Sequence, residues 1–334
     1  MYMDVLERIR EKAKQDPRRI IFPETEDLRI LKAVDFIRKE GIAEPLLFSP
    51  EDMEQAQKEQ FAYLLYEYRK AKGMTLEKAM ELMEDRHFYA AMMLRCGFVD
   101  GMVTGAAHST ALVMRAVIHC LEINDHVGVV SSVFLMGVPD CAYGEEGVLC
   151  YADCGVIPDP TSAQLARIAV SSAQFFQDVM DKPARVAMLS FSTKGSAEGV
   201  SVDKVRAAVE LAKDLKKDFF IEGELQLDTA LVPEVAAIKF GEDSDVAGKA
   251  NVLIFPTLDA GNIGYKLTER LAQARAIGPI ILGTIQPCSD LSRGCSVEDI
   301  IDCTALTVVR AQKRSSITYN TSINFDKYYA YSGL

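Results

Sequence analysis

The run RRIIFPETEDLRILKAVDFIRKEGIAEPLLFS, residues 18–49, sets two short apolar segments, RRIIFPE at 18–24 and PLLFS at 45–49, on either side of an amphipathic stretch from about Glu26 to Glu40. Short β-branched runs alternating with longer helical ones are the pattern of an α/β protein. Moving outward, the alternation continues as VDGMVTG at 99–105, VGVVSSVFLMGV at 127–138, GVLCYAD at 147–153, RVAMLSFS at 185–192, DFFIEGEL at 218–225, NVLIFPT at 251–257 and PIILGTI at 279–285. Several of these runs are apolar on both faces, as strands covered by helices on each side are. With 334 residues the chain exceeds the size at which one core usually stops growing, so two domains are expected. The connections at Ile123-Asn124-Asp125-His126 and around Gly278-Pro279 are the candidate boundaries.

Hydrophobic residues make up 49% of the chain and charged residues 25%, the balance of a folded globular enzyme. A net charge of -11 opposes nucleic acid and acidic membrane surfaces, so an anion site has to be built from particular arginines. No apolar run reaches the roughly 18 residues that span a bilayer. The N-terminal pattern MYMDVLERIREKAKQD is a charged amphipathic helix without the apolar core of an export signal, and eight scattered cysteines form no repeated CxxC pair. A cytoplasmic protein with reduced thiols is expected.

The segment Ser289-Asp290-Leu291-Ser292-Arg293-Gly294-Cys295-Ser296-Val297-Glu298-Asp299-Ile300 is expected to follow a buried strand and open a helix. In an open α/β sheet such turns lie at the carboxyl ends of strands, where ligands bind, and a helix start offers free N–H groups to an anion. Ser292, Arg293 and Gly294 bring a hydroxyl, a permanent planar cation and room for close approach. Ser296-x-x-Asp299 also matches a capping box in outline, so by local pattern Asp299 is equally a helix-start residue. DGMVTGAAHST at 100–110 repeats the strand, small-residue turn and helix, with Ser109 or Thr110 as cap and Arg115 on the helix. Cys141, in the turn Pro139–Gly144 after the most apolar strand, reads as a site-lining thiol. Cys150 and Cys154 lack the partners of a metal site, and no metal is assigned. GxxxxGK[ST], GxGxxG after the first strand, GxSxG and HExxH are all missing.

Taken together, YEYRKAKGMTLEKA at 66–79, DGMVTGAAHST, VPDCAYG at 138–144, MLSFSTKGSA at 188–197, GELQLD at 223–228, VAGKANVLIFPTLDAGNIGYKL at 246–267 and DLSRGCSVEDI at 290–300 make the chain resemble the phosphate acetyltransferases up to about Gln312. The resemblance implies two α/β domains with a cleft between them, as in isocitrate and isopropylmalate dehydrogenases: residues 1–126 plus 281–334, with 127–280 inserted. It implies a homodimer acting on small molecules, acetyl-CoA, phosphate and acetyl phosphate, with coenzyme A as a substrate and no permanently bound cofactor. By the same resemblance Asp299 takes the thiol proton of coenzyme A, Arg293 holds the phosphate or acetyl oxygen, and Ser292 supports them. Arg69 and Arg115 then match arginines that bind coenzyme A, Ser109 and Gly294 line the substrate site, and Cys141 lies near it without being the nucleophile. Butyryl transfer is the near rival. A metal-dependent decarboxylating dehydrogenase lacks its aspartate cluster here, and a purely acetyl-CoA-sensing role does not need Ser292, Arg293 and Asp299 together.

Overall fold

The computed structural model describes residues 2–125, 127–215, 218–241 and 243–315, the side chains of residues 2–4 and 315 excepted. Its strands are β1 (Arg19–Phe22), β2 (Glu44–Leu47), β3 (Gly101–Thr104), β4 (Ser131–Gly137), β5 (Val148–Ala152), β6 (Arg185–Leu189), β7 (Phe220–Leu225), β8 (Val252–Ile254), β9 (Arg275–Leu282) and β10 (Cys288–Asp290). The helices are α1 (Tyr2–Lys14), α2 (Leu28–Glu40), α3 (Gln55–Arg69), α4 (Leu76–Leu82), α5 (Arg86–Arg95), α6 (Thr110–Cys120), α7 (Ser162–Met180), α8 (Val200–Leu215), α9 (Leu227–Leu231), α10 (Pro233–Lys239), α11 (Leu258–Leu271) and α12 (Val297–Ser315). The opening run behaves as its pattern demands. In α2 the apolar residues Ile30, Ala33, Val34 and Ile37 fall on one buried face, Asp27 caps the start, and Gly41 closes the end at φ 70°.

All ten strands join one sheet in the order β2-β1-β3-β10-β9-β4-β5-β8-β6-β7. The first four run parallel; β9 is antiparallel to both β10 and β4, β5 is antiparallel to β4, and β8, β6 and β7 run parallel to β5. The C-terminal ends of β1, β3, β10 and β4 therefore share one side of the sheet, and those of β5, β8, β6 and β7 share the other. The fold is mixed α/β, as expected.

As expected, a buried strand leads into the Asp290–Asp299 segment and a helix opens from it; the strand is β10, and not the PIILGTI strand before it. The PIILGTI strand is the end of β9, which begins at Arg275, and the short strand β10 intervenes, paired parallel with β3 and antiparallel with β9. Three residues are too few for an alternating pattern to register. Asp290 is thereby the last residue of a central strand, bonded in register with Thr104.

Three apolar clusters fill the molecule. One runs through the centre and includes α7 and α12, one lies among α3, α5, α6 and β3, and one among β4, β5, β8 and α11. Ile300, Ile301, Leu306, Val308 and Val309 of α12 are fully buried, which fixes the helix whose first turn carries the candidate site. No helix among the described residues is long and apolar enough to cross a membrane. The tyrosine-rich sequence beyond residue 315 lies outside the described residues.

Candidate active site

Where β10 ends, Leu291 N donates to Thr104 O at 2.6 Å, and the chain turns out into solvent. Ser292, Arg293 and Gly294 are exposed while Leu291 and Cys295 are buried on either side of them. The turn closes through Cys295 N to Ser292 O at 2.9 Å and Gly294 N to Ser292 Oγ at 3.3 Å. Among the described residues no ion pair engages the Arg293 guanidinium, so its charge faces solvent above the turn. At Gly294 an added Cβ meets only Ser292 Oγ, at 3.9 Å. What glycine provides there is open space above the backbone.

The close approach that small residues allow falls instead at Gly105. Its φ is +101°, and a Cβ there would sit 2.2 Å from Asp290 Oδ1 and 2.7 Å from Leu291 N. Arg29, which the sequence did not single out, ties both turns together: Nη1 donates to Arg293 O at 2.8 Å and Cys295 O at 2.9 Å, and Nη2 to Ala106 O at 2.7 Å. Glu24, at the end of β1, accepts from Ala106 N at 2.7 Å, Ala107 N at 3.1 Å, His108 N at 3.0 Å and His108 Nδ1 at 2.7 Å. Burial opposes its charge, yet His87, His108 and the backbone amides hold its carboxyl down to about 2. Asp290 is the reverse case. It is fully buried, makes only a loose contact with the Thr110 hydroxyl, and burial pushes its carboxyl up to about 7.

Asp299 lies in the first turn of α12. Ser296 N donates to its Oδ2 at 2.8 Å and Asp299 N to Ser296 Oγ at 3.1 Å, so the capping box read from the sequence is formed. Its other oxygen takes Arg275 Nη2 at 3.0 Å, and Arg275 also pairs with Asp302 at 2.8 Å. Arg10 extends the chain of charges to Asp302 and Glu298, each at 2.7 Å. Asp299 remains 28% exposed in its side chain, fixed in direction on the protein side and open on the other. Arg275 opens β9 beside Gly137 of β4, a pairing that no local pattern announces.

The remaining expected residues divide. Ser109 caps α6 through Leu112 N at 3.4 Å and sits with the Gly105 turn. Arg115 is exposed on α6, about 9 Å along the helix axis from Ser109. Arg69 ends α3 and donates to Ile118 O at 3.3 Å. Both guanidiniums flank His119, whose imidazole is pushed below its ordinary value by burial and then by Arg69 and Arg115. Arg69 at the end of α3 and Arg115 on α6 thus form one cationic patch around His119, on elements other than the Arg293 turn. Cys141, half-buried, follows β4 on the same side of the sheet as the turn, with no hydrogen bond to the 289–299 segment among the described residues. Cys295, inside the segment, is walled in, and burial raises its thiol to about 11 with Arg29 opposing.

An exposed Ser-Arg-Gly turn before a helix start, with a fixed carboxylate in the first turn of that helix and two more arginines, one ending α3 and one on α6, suits an α/β protein that handles anionic substrates. The chain belongs to the family described as phosphate acetyl/butaryl transferase, whose model matches residues 4–308. It is 48% identical over 332 residues to a phosphate acetyltransferase of Clostridium acetobutylicum, covering 93% of this chain and 99% of that one. A phosphate acetyltransferase of Thermoanaerobacterium thermosaccharolyticum is 47% identical, with 93% and 100% covered. Among solved structures, a phosphotransacetylase from Streptococcus pyogenes superposes with a TM-score of 0.85 at 38% identity, covering 93% of this chain and 99% of that one.

Proposed function

We propose that this chain transfers an acetyl group reversibly between coenzyme A and inorganic phosphate, acetyl-CoA plus phosphate giving acetyl phosphate plus CoA. The observation that carries this reading is the exposed Ser292-Arg293-Gly294 turn with Asp299 fixed by Arg275 beside it, in a chain 48% identical to a phosphate acetyltransferase. In the direction of acetyl-CoA formation, Asp299 takes the thiol proton of CoA and the sulfur attacks the acetyl carbonyl of acetyl phosphate. The new C–S bond replaces the C–O bond to phosphate, which leaves as the inorganic ion. Arg293 and the N–H groups of the α12 start face the charge that develops on oxygen, with Ser292 beside them. Arg69 and Arg115 bind the phosphates of CoA, Ser109 and Gly294 border its path, and Cys141 lines the site without reacting. No step of this chemistry calls for a resident cofactor.

The same reading takes residues 1–126 with 281–334 as one α/β unit and 127–280 as a second, around a cleft of the isocitrate dehydrogenase kind. In its support, β1, β2, β3 and β10 are neighbours at one end of the sheet, and two of the three apolar clusters lie on different halves of it and meet at β9. A homodimer in the cytoplasm is the assembly we infer. The exposed stripe of Ile263, Leu267 and Leu271 on α11 supports self-association.

The test is phosphate-dependent release of free CoA from acetyl-CoA, followed with a thiol reagent, in the wild type and in Asp299→Asn. A rate reduced about 10²-fold or more with CoA binding retained supports Asp299 as the base. An unchanged rate returns Asp299 to capping alone, and no wild-type activity removes the assignment. Faster turnover of butyryl-CoA than acetyl-CoA moves the substrate to the longer acyl chain.

A further inference from the structure

Beneath the Gly105 turn, Glu24 at the end of β1, His87 in the first turn of α5 and His108 before α6 each bring one ligand atom to within 4.8 Å of the others. Glu24 and His87 are both 1% exposed in their side chains, whereas His108 is 35% exposed and leaves a way in from solvent. The His87 ring is aimed. Asp85, the cap of α5, holds its Nδ1 at 3.1 Å and its backbone N at 2.8 Å. The opposite nitrogen, Nε2, therefore points into the cluster, 3.8 Å from Glu24 Oε1, and has no hydrogen-bond partner. A buried imidazole nitrogen that meets a carboxylate only at 3.8 Å, beyond hydrogen-bond reach, is rare enough to require a reason.

Metal-bound histidines commonly carry a carboxylate or carbonyl on their outer nitrogen, which fixes the tautomer and turns the inner lone pair toward the ion; Asp85 stands in that position behind His87. Two imidazoles and one carboxylate are the donor set of a three-ligand zinc site. With bonds of about 2.0–2.1 Å and tetrahedral angles, such ligand atoms lie roughly 3.4 Å apart. The observed separations from Glu24 Oε1, 2.7 Å to His108 Nδ1 and 3.8 Å to His87 Nε2, bracket that value, so small side-chain rotations suffice. Glu24 keeps its backbone bonds from Ala106 N on Oε2 and from Ala107 N and His108 N on Oε1, and only the contact of Oε1 with His108 Nδ1 gives way to the ion.

We propose that Glu24, His87 and His108 form a binding site for a divalent transition ion of the zinc class, which clamps the β3–α6 turn to the end of β1. The site lies outside the acetyl-transfer steps described above, and its presence does not depend on them. The sequence reading assigned no metal because the three ligands stand far apart along the chain and match no ligand spacing.

Titration of the chelator-stripped chain with Co2+ reads the site directly through visible absorption. The expected result is about one ion per chain with the bands of tetrahedral nitrogen and oxygen ligation, no thiolate charge-transfer band, and loss of both binding and bands in His87→Leu. Zn2+ at about one hundred times its Kd should raise the wild-type melting temperature by roughly 4 °C and leave the variant unmoved. If His87→Leu does not fold, His108→Gln, altered at the exposed ligand, serves in its place with the same expectation. Absence of stoichiometric binding, a thiolate spectrum, or equal binding in the ligand variants overturns the proposal and leaves the cluster as a hydrogen-bonded brace.

Discussion

Two buried carboxylates at strand ends, Asp290 of β10 and Glu224 of β7, show how differently the two sides of the sheet are finished. Glu224 accepts from Arg206 Nε and Nη2 at 3.0 Å each, Gly195 N at 2.8 Å and Ser192 Oγ at 3.1 Å. Burial raises its carboxyl, but these donors outweigh it and hold the group down to about 2. Asp290 has no such donors, and its carboxyl stands at about 7. The motif loops after β6 and β7, MLSFSTKGSA and GELQLD, thus spend their polar groups on one another. On the other side, the end of β10 and the turn after it leave a buried carboxylate and an exposed arginine unmatched, and the first turn of α5 leaves an imidazole nitrogen without a hydrogen bond. Saturated polarity braces a fold; unsaturated polarity at strand ends is where ligands go.

The contrast is most exposed to test through pH. Because the folded state raises the Asp290 carboxyl above its unfolded value, its contribution is fully present below about pH 4 and is lost as pH rises through about 7. Denaturant melts between pH 4 and 8 should show the wild type losing about 4 kcal/mol from this group. In Asp290→Asn that slope should flatten, and an unchanged slope breaks the comparison. Arg293→Ala should lower acetyl-CoA turnover about 10²–10³-fold, equivalent to roughly 3–4 kcal/mol, while leaving thermal stability within about 0.5 kcal/mol. A variant that loses stability instead would make Arg293 a structural residue.

Glycine substitutions sharpen the same contrast within one side of the sheet. Gly105→Ala drives a Cβ into Asp290 and Leu291 at a positive φ and should cost about 3 kcal/mol in urea unfolding. Gly294→Ala, with open space, should stay within about 0.5 kcal/mol. Between these falls Glu224→Gln, expected to cost about 2 kcal/mol at pH 7, the scale of one charge-assisted hydrogen bond. Its deficit should shrink as pH falls from about 4.5 toward 2, since stability from a depressed carboxyl is present above the unfolded value and lost on acidification.

Much of this was legible in the residues. The runs at 18–24, 45–49, 99–105 and 185–192 became β1, β2, β3 and β6 because short apolar runs bounded by turn residues, β-branched in all but the second, suit a pleated, buried surface. The Ser296 capping box was legible for the same reason, since its partners are three residues apart. β10 was not, being three residues long and defined only by Thr104 and Ile281 across from it. Neither were Arg29, Arg275 and Glu24. Glu24 alone carried a usable signal, as an acid just past the end of a strand, where an open α/β sheet binds its ligands.

By itself the sequence determined the α/β alternation, the turn at Ser292-Arg293-Gly294 and the family to which the chain belongs, since each is written in residues close together along the chain. Tertiary structure alone decided that β9 runs against its neighbours, that Arg275 reaches Asp299, that Asp290 is left without strong donors, and that His87 and His108 meet over Glu24. The reason is one of range. Backbone hydrogen bonding and side-chain periodicity act over a few residues and mark the sequence locally, whereas burial and charge pairing depend on which distant segments the collapsed chain brings into contact.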